Sequence, residues 1–125
     1  MPDETDDLEY AKERAAALGV SVITGGDFPT DRAARRIFTL AVRECVTNCV
    51  RHAGGTKVFA FSSVEDGNHI LKITNNGAPP EGEVIEGGGL SALRRRIEKS
   101  GGKMEIKSFP FFELCVTLRR TGGKV

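Results

Sequence analysis

Three stretches of this chain place residues where they could handle a phosphate-bearing ligand. The first is Glu44, Asn48 and then Arg51 or His52, at i, i+4 and i+7 or i+8, a spacing that puts them on one side of a helix. A carboxylate and an amide stacked in this way offer oxygen ligands to a hard cation such as Mg²⁺, and an arginine one turn later can meet a phosphate. The same spacing describes a solvated polar stripe. The second is Asn75, which closes the alternating run Leu71, Ile73, Asn75, so the inward face of a strand ends in an amide. An unpaired buried amide group costs about 1–3 kcal/mol, and two partners are open to it: backbone in the turn Asn75-Asn76-Gly77, or the polar edge of a base. The third is Gly87-Gly88-Gly89-Leu90, opening a helical run. A helix N-terminus presents unpaired N–H groups and the positive end of the dipole, and glycines let the backbone come close to anionic oxygens. The basic run Arg94-Arg95-Arg96 fans around that helix and reads as solvated surface.

Neither common nucleotide-binding fingerprint fits. The phosphate-binding loop needs G-x-x-x-x-G-K-[ST], and the dinucleotide fingerprint needs spaced glycines directly after a strand.

The elements that must carry these residues can be read from periodicity. Residues 8–18 have helical composition and stop at Gly19; Val20-Ser21-Val22-Ile23 reads as a short strand closed by Gly25-Gly26. Thr30 or Asp31 can cap a long helix running to about His52, with Ile37, Leu40, Ala41, Val42, Cys45, Val46, Cys49 and Val50 as its apolar stripe. Residues 57–62 and 70–75 are predicted strands joined around Asp66-Gly67-Asn68. A loop over 76–89, a helix over 90–100 and strands over 103–108 and 112–119 complete the chain. This order predicts an α+β, two-layer sandwich with a mixed sheet covered on one face by helices. His69 falls at the expected hairpin edge and reads as an exposed strand residue.

Composition narrows the function classes. At 125 residues the chain is the size of one domain, and its net charge of +1 lacks the basic excess of a nucleic-acid binder. No apolar run approaches the roughly 20 residues that span a bilayer, and the acidic start Met1-Pro2-Asp3-Glu4 has the wrong charge for a secretory leader, so no membrane contact and a cytoplasmic location are expected. Of the three cysteines, Cys45 and Cys49 lie four apart in the apolar helix and are expected as packed side chains rather than metal ligands.

Taken in order, the three motifs resemble those of the GHKL superfamily of ATPases, over roughly residues 27–119. The run from Glu44 to Ala53 (ECVTNCVRHA) looks like the histidine-kinase N-box, Ile73-Thr74-Asn75-Asn76-Gly77 like the first glycine box, and the run from Gly87 to Glu98 (GGGLSALRRRIE) like the second. The resemblance implies a Bergerat-type fold and the ATP-binding catalytic domain of a two-component sensor histidine kinase, a protein-histidine kinase. That domain transfers the γ-phosphoryl of ATP to a histidine on a separate dimerisation hairpin, with a response regulator downstream. Residues 1–19 would be the remnant of a connecting helix, 20–121 the catalytic domain and 122–125 a frayed tail. No such hairpin precedes residue 20, so the chain alone is expected to bind nucleotide without holding its own acceptor histidine.

Site roles follow from the resemblance too. Asn48 would coordinate Mg²⁺ bridging the phosphates, and Glu44 would support the metal or its waters. Arg51 and His52 would lie near the phosphates or ribose. Asn75 takes the place of a base-reading aspartate, and Gly77 lets the backbone pass close to the base. Residues 76–86 would form the ATP lid, with Gly87, Gly88, Gly89 and Leu90 closing its far end. The departures are Asn75, an amide where the family has an acid, with Pro79 where the second glycine of the first box is usual, and Phe111-Phe112 at the site of a Gly-Thr pair. An amide can accept from adenine or, turned over, donate to a guanine carbonyl. Two other readings share the fold: an anti-sigma-factor serine kinase, and a degenerate nucleotide-binding scaffold.

Overall fold

A computed structural model describes residues 7–81 and 87–120. In chain order the elements are α1 (Asp7–Ala17), β1 (Ser21–Gly26), α2 (Arg32–Asn48), a π-helical turn (Cys49–Ala53), β2 (Lys57–Glu65), β3 (Asn68–Asn75), α3 (Gly88–Lys99), β4 (Lys103–Lys107) and β5 (Glu113–Arg119). The strands form one five-stranded sheet in the order β1-β2-β3-β5-β4, with β1 parallel to β2 and the other pairs antiparallel.

Period-two alternation decides which face is covered. Val58, Ala60, Leu71, Ile73, Leu114, Val116 and Leu118 are buried, while their neighbours Phe59, Phe61 and Lys72 are exposed. Against the buried face lie Phe38, Ala41, Val42 and Cys45 of α2 and Leu90, Leu93 and Ile97 of α3. Leu8, Ala11 and Ala15 are the buried residues of α1, which packs on α2 and β1. The result is the two-layer α+β sandwich expected from the sequence. Asp31 caps α2, its carboxylate accepting from the Ala34 N–H at 2.9 Å.

The elements differ from expectation mainly in their limits. β1 runs through Gly25-Gly26 because its parallel pairing with β2 continues to Phe61 and Ser62. The hairpin strands extend to Glu65 and Asn68, joined by Asp66-Gly67 with φ of 52° and 79°, the two positive values of a tight primed turn. The long helix does not continue regularly to His52; it gives way to the π turn after Asn48. The expected tail over 122–125 and the far part of the expected lid, 82–86, lie outside the described residues.

His69 corrects the sequence reading. The longer hairpin brings it inside β3, paired between Val64 and Leu118, and leaves it 8% exposed rather than on an open edge. Its ring meets Phe38 edge to face at 6.3 Å, and Nδ1 has no hydrogen-bond partner. Burial, helped by Arg120 and opposed by Asp31, holds the imidazole below its ordinary pKa. The fold therefore prefers neutral His69. Its stability contribution is present above the unfolded value of about 6.5 and is lost as pH falls through the lower folded value. Melting temperature should drop on acidification below about pH 6.5, and His69→Leu should flatten that part of the profile. An equal slope in the variant would remove His69 as its source.

Cys45 and Cys49 are buried free thiols, and desolvation pushes both above their ordinary pKa, as packed side chains require. No described helix is long and apolar enough to cross a membrane.

Candidate functional site

The C-terminal end of α2 sets the first wall. From Cys49 the chain winds as a π turn and closes at Gly54, whose φ of 64° and ψ of 24° are left-handed. Single π turns are rare and occur often at functional sites. This one places Asn48, Arg51 and His52 on one cavity. The side chains of all three have no hydrogen bond or ion pair to another described residue, so their polar ends are available to a ligand.

The second wall is the turn after β3. The amide of Asn76 is engaged at both ends: its Oδ1 accepts from the Thr56 and Lys57 N–H groups, each at 2.8 Å, and its Nδ2 donates to Thr56 Oγ1 at 3.1 Å. Asn76 thereby ties this turn to the start of β2. Asn75 lines the cavity, and its Oδ1 accepts from the Gly77 N–H at 2.8 Å. Gly77 itself lies behind the wall. A Cβ there would meet the Cβ and carbonyl of Ala53, whose oxygen accepts from the Ala78 N–H at 2.9 Å. The close approach of these two backbone segments requires glycine.

The third wall is the start of α3. Gly87 is its N-cap and, without a side chain, leaves the first N–H groups of the helix uncapped. Gly87 and Gly88 have open space where a Cβ would stand, whereas Gly89 is pressed against the Glu44 carboxylate. Glu44, expected to support a metal or its waters, is thereby placed directly behind a residue of the cavity wall. Its carboxylate occupies the seam between α2 and α3, because the missing Cβ of Gly89 leaves room for it, and it does not line the cavity. Gly89→Ala should displace the flexible end of Glu44 and cost about 1 kcal/mol, and combining it with Glu44→Ala should recover most of that loss. A double-mutant cycle by denaturant unfolding reads the coupling; strict additivity would mean the contact is not the cause.

The three walls enclose a cavity of about 500 Å³ lined by Asn48, Arg51, His52, Asn75, Gly87, Gly88, Gly89 and Leu90 from the sequence motifs, together with Ala53, Ala78, Pro80 and Phe112. The last four were not nominated as site residues. Phe112 had a signal, since it continues the inward alternation Leu114, Val116, Leu118, and it is 7% exposed. Ala53 and Ala78 fall within the first motif and the expected lid, and only the folded turn brings them together. The lining combines apolar side chains (Leu90, Phe112, Ala53 and Ala78) with the Asn48 and Asn75 amides, the Arg51 guanidinium, the His52 ring and the uncapped N–H groups at the start of α3. That combination suits a ligand with a flat ring and an anionic tail. Arg94 belongs elsewhere: it donates to the Met104 carbonyl at 2.7 Å and ties α3 to β4. Among the described residues no three His, Cys, Asp or Glu side chains gather to hold a metal ion.

No family model matches the chain. Among curated proteins, the sensor histidine kinase NarS of Mycobacterium tuberculosis is 27% identical over 117 residues, covering 88% of this chain and 28% of that protein. The chain therefore corresponds to less than a third of this relative's length. Three solved structures superpose well. The blue-light activated histidine kinase of Erythrobacter litoralis EL346 gives a TM-score of 0.67 at 22% identity, covering 94% of this chain and 42% of that one. The histidine kinase AdeS of Acinetobacter baumannii gives 0.64 at 18% identity, covering 93% and 62%. The catalytic domain of the histidine kinase ThkA, in a nucleotide-free form, gives 0.66 at 19% identity, covering 91% and 88%. The fold of this chain is that of histidine kinase catalytic domains.

Proposed function

We propose that this chain is the ATP-binding catalytic domain of a cytoplasmic sensor histidine kinase segment, and that it donates the γ-phosphoryl of ATP to a histidine on a separate dimerisation hairpin. A response regulator then receives the phosphoryl group. The observation that carries the reading is the cavity itself, in which one amide-bearing strand end, one uncapped glycine helix start and the Asn48 face of α2 converge.

The residues divide the work. The N–H groups of Gly88, Gly89 and Leu90, with the dipole of α3 behind them, hold phosphate oxygens. Arg51 and His52 add donors at the same end. Leu90, Phe112, Ala53 and Ala78 exclude water from the base, and Asn75 gives it a polar contact. Asn48 would hold Mg²⁺, because its side chain lines the cavity with no partner among the described residues and its amide oxygen is a hard donor; Mg²⁺ commonly takes one or two protein oxygens and fills its shell from substrate phosphates. When bound it supplies charge neutralisation at the phosphates. Glu44 acts as a positioning residue, fixing the start of α3 through Gly89. Catalysis by the domain is then orientation and charge stabilisation, with the nucleophile arriving from the hairpin.

Calorimetric titration with ATP and ADP, with and without Mg²⁺, tests the binding step, and absence of binding at millimolar nucleotide would refute it. Asn48→Ala should weaken binding in the presence of Mg²⁺ by about ten- to a hundredfold, and leave the Mg²⁺-free titration and the melting temperature nearly unchanged. Label passing from ATP to a separately expressed kinase hairpin tests the transfer. Label on a serine of an anti-sigma antagonist would favour the serine-kinase reading instead, and binding without transfer to either would favour a scaffold.

A further inference from the structure

The orientation of the Asn75 amide is fixed by its neighbour. A backbone N–H can only donate, so the atom that the Gly77 N–H meets at 2.8 Å must be the carbonyl oxygen of Asn75. The other end of the amide, Nδ2, makes no hydrogen bond with any described residue, and Asn75 is half-buried on the cavity wall. The side chain lies on the helix-facing side of β3, continuing the buried series Leu71 and Ile73. The adjacent amide, Asn76, is engaged at both ends with Thr56 and Lys57 and does not line the cavity. Of the other side chains that line the cavity, those of Ala53, Ala78, Pro80, Leu90 and Phe112 carry no hydrogen-bonding group. Among the described residues, the end of the Asn75 amide left wholly without a partner is its NH₂, a donor, while Oδ1 keeps one lone pair beside the Gly77 bond.

Purines differ in what they show such a donor. Adenine carries an amino group at position 6, itself a donor, and must turn a ring nitrogen toward the amide to be accepted. Guanine and hypoxanthine carry a carbonyl oxygen at position 6, which accepts directly. Rotating the Asn75 amide to suit adenine would set its NH₂ against the Gly77 N–H, donor against donor, and would leave that N–H without its acceptor. A carboxylate would behave differently, because both its oxygens accept: one could keep the Gly77 N–H while the other met an adenine amino group.

Resting on the nucleotide-binding reading above, we propose that Asn75 is a specificity-determining residue that opens this site to 6-oxopurine nucleotides, so that GTP and ITP bind at least as well as ATP. Calorimetric titration of the chain with Mg²⁺ and each of ATP, GTP, ITP and UTP is the test. GTP and ITP should bind within about threefold of ATP or more tightly, and UTP, whose single ring fills less of the cavity, about tenfold more weakly. Asn75→Asp keeps the acceptor for Gly77 and should move the ATP-to-GTP affinity ratio toward ATP by about tenfold or more. ATP binding about tenfold or more tightly than both GTP and ITP in the unsubstituted chain would overturn the proposal while leaving nucleotide binding intact. So would an unchanged ratio in Asn75→Asp, or UTP binding as tightly as the purines. Failure of all four triphosphates to bind would overturn this proposal and the nucleotide reading together.

Discussion

Gly77→Ala is expected to destabilise the domain by about 1–3 kcal/mol and to weaken nucleotide binding at the base end of the cavity. The added methyl would meet both the Cβ and the backbone of Ala53, so no side-chain rotation can make room for it. The chain must separate there, which stretches the Ala78 N–H to Ala53 carbonyl bond and moves two cavity residues at once. It also shifts the N–H that orients Asn75. Gly87→Ala provides the comparison. Its φ of −87° suits any residue and nothing stands where its Cβ would go, so its stability should change by no more than about 0.5 kcal/mol. Urea unfolding of both variants, followed by titration with nucleotide, checks the pair. Equal losses would mean that Gly77 is not held by the Ala53 contact.

The same pair shows how far the sequence could be read. Gly77 and Gly87 both stand in glycine-rich motifs, and type and spacing alone assign both to the site. Only the fold separates them: one is fixed by a backbone crossing, the other lies open on the cavity. Local periodicity was enough for the sheet faces and for most helix spans, because burial alternates with a period of two along β2, β3 and β5. It also sufficed for Asn75, which ends the series Leu71, Ile73. That series, extended backward, reaches His69, so its burial was legible as well; stopping the expected strand at residue 70 concealed it. The π turn was not legible, nor was the bond at its end, where the Ala53 carbonyl accepts from the Ala78 N–H far along the chain. Nor was the seat of Glu44 against Gly89, a contact between two helices separated by the whole β2–β3 hairpin. Side-chain type and spacing put Glu44 near a cation, and only tertiary packing shows its carboxylate against Gly89.

Phe38→Ala should have the largest effect on stability, about 3–5 kcal/mol, a large part of the roughly 5–15 kcal/mol that holds a domain folded. Phe38 has no exposed surface and sits near the middle of α2 over the sheet. Its ring contacts Phe28 edge to face at 6.3 Å and 86°, and His69 at 6.3 Å and 82°. Truncation removes apolar burial and leaves a cavity that Phe28 alone can fill only in part. A second effect separates this site from any other core position. Phe38 contributes to the desolvation that keeps His69 neutral, so opening a void beside the imidazole lets water approach and raises its pKa toward the ordinary value. The variant should therefore be less stable at every pH, yet lose less on going from about pH 7.5 to about pH 5.5 than the unsubstituted chain. Denaturant unfolding at those two pH values reads both terms. Leu71→Ala, at an equally buried position, should lower stability without changing the pH dependence. If Phe38→Ala and Leu71→Ala show the same acid slope, the coupling between Phe38 and His69 is absent.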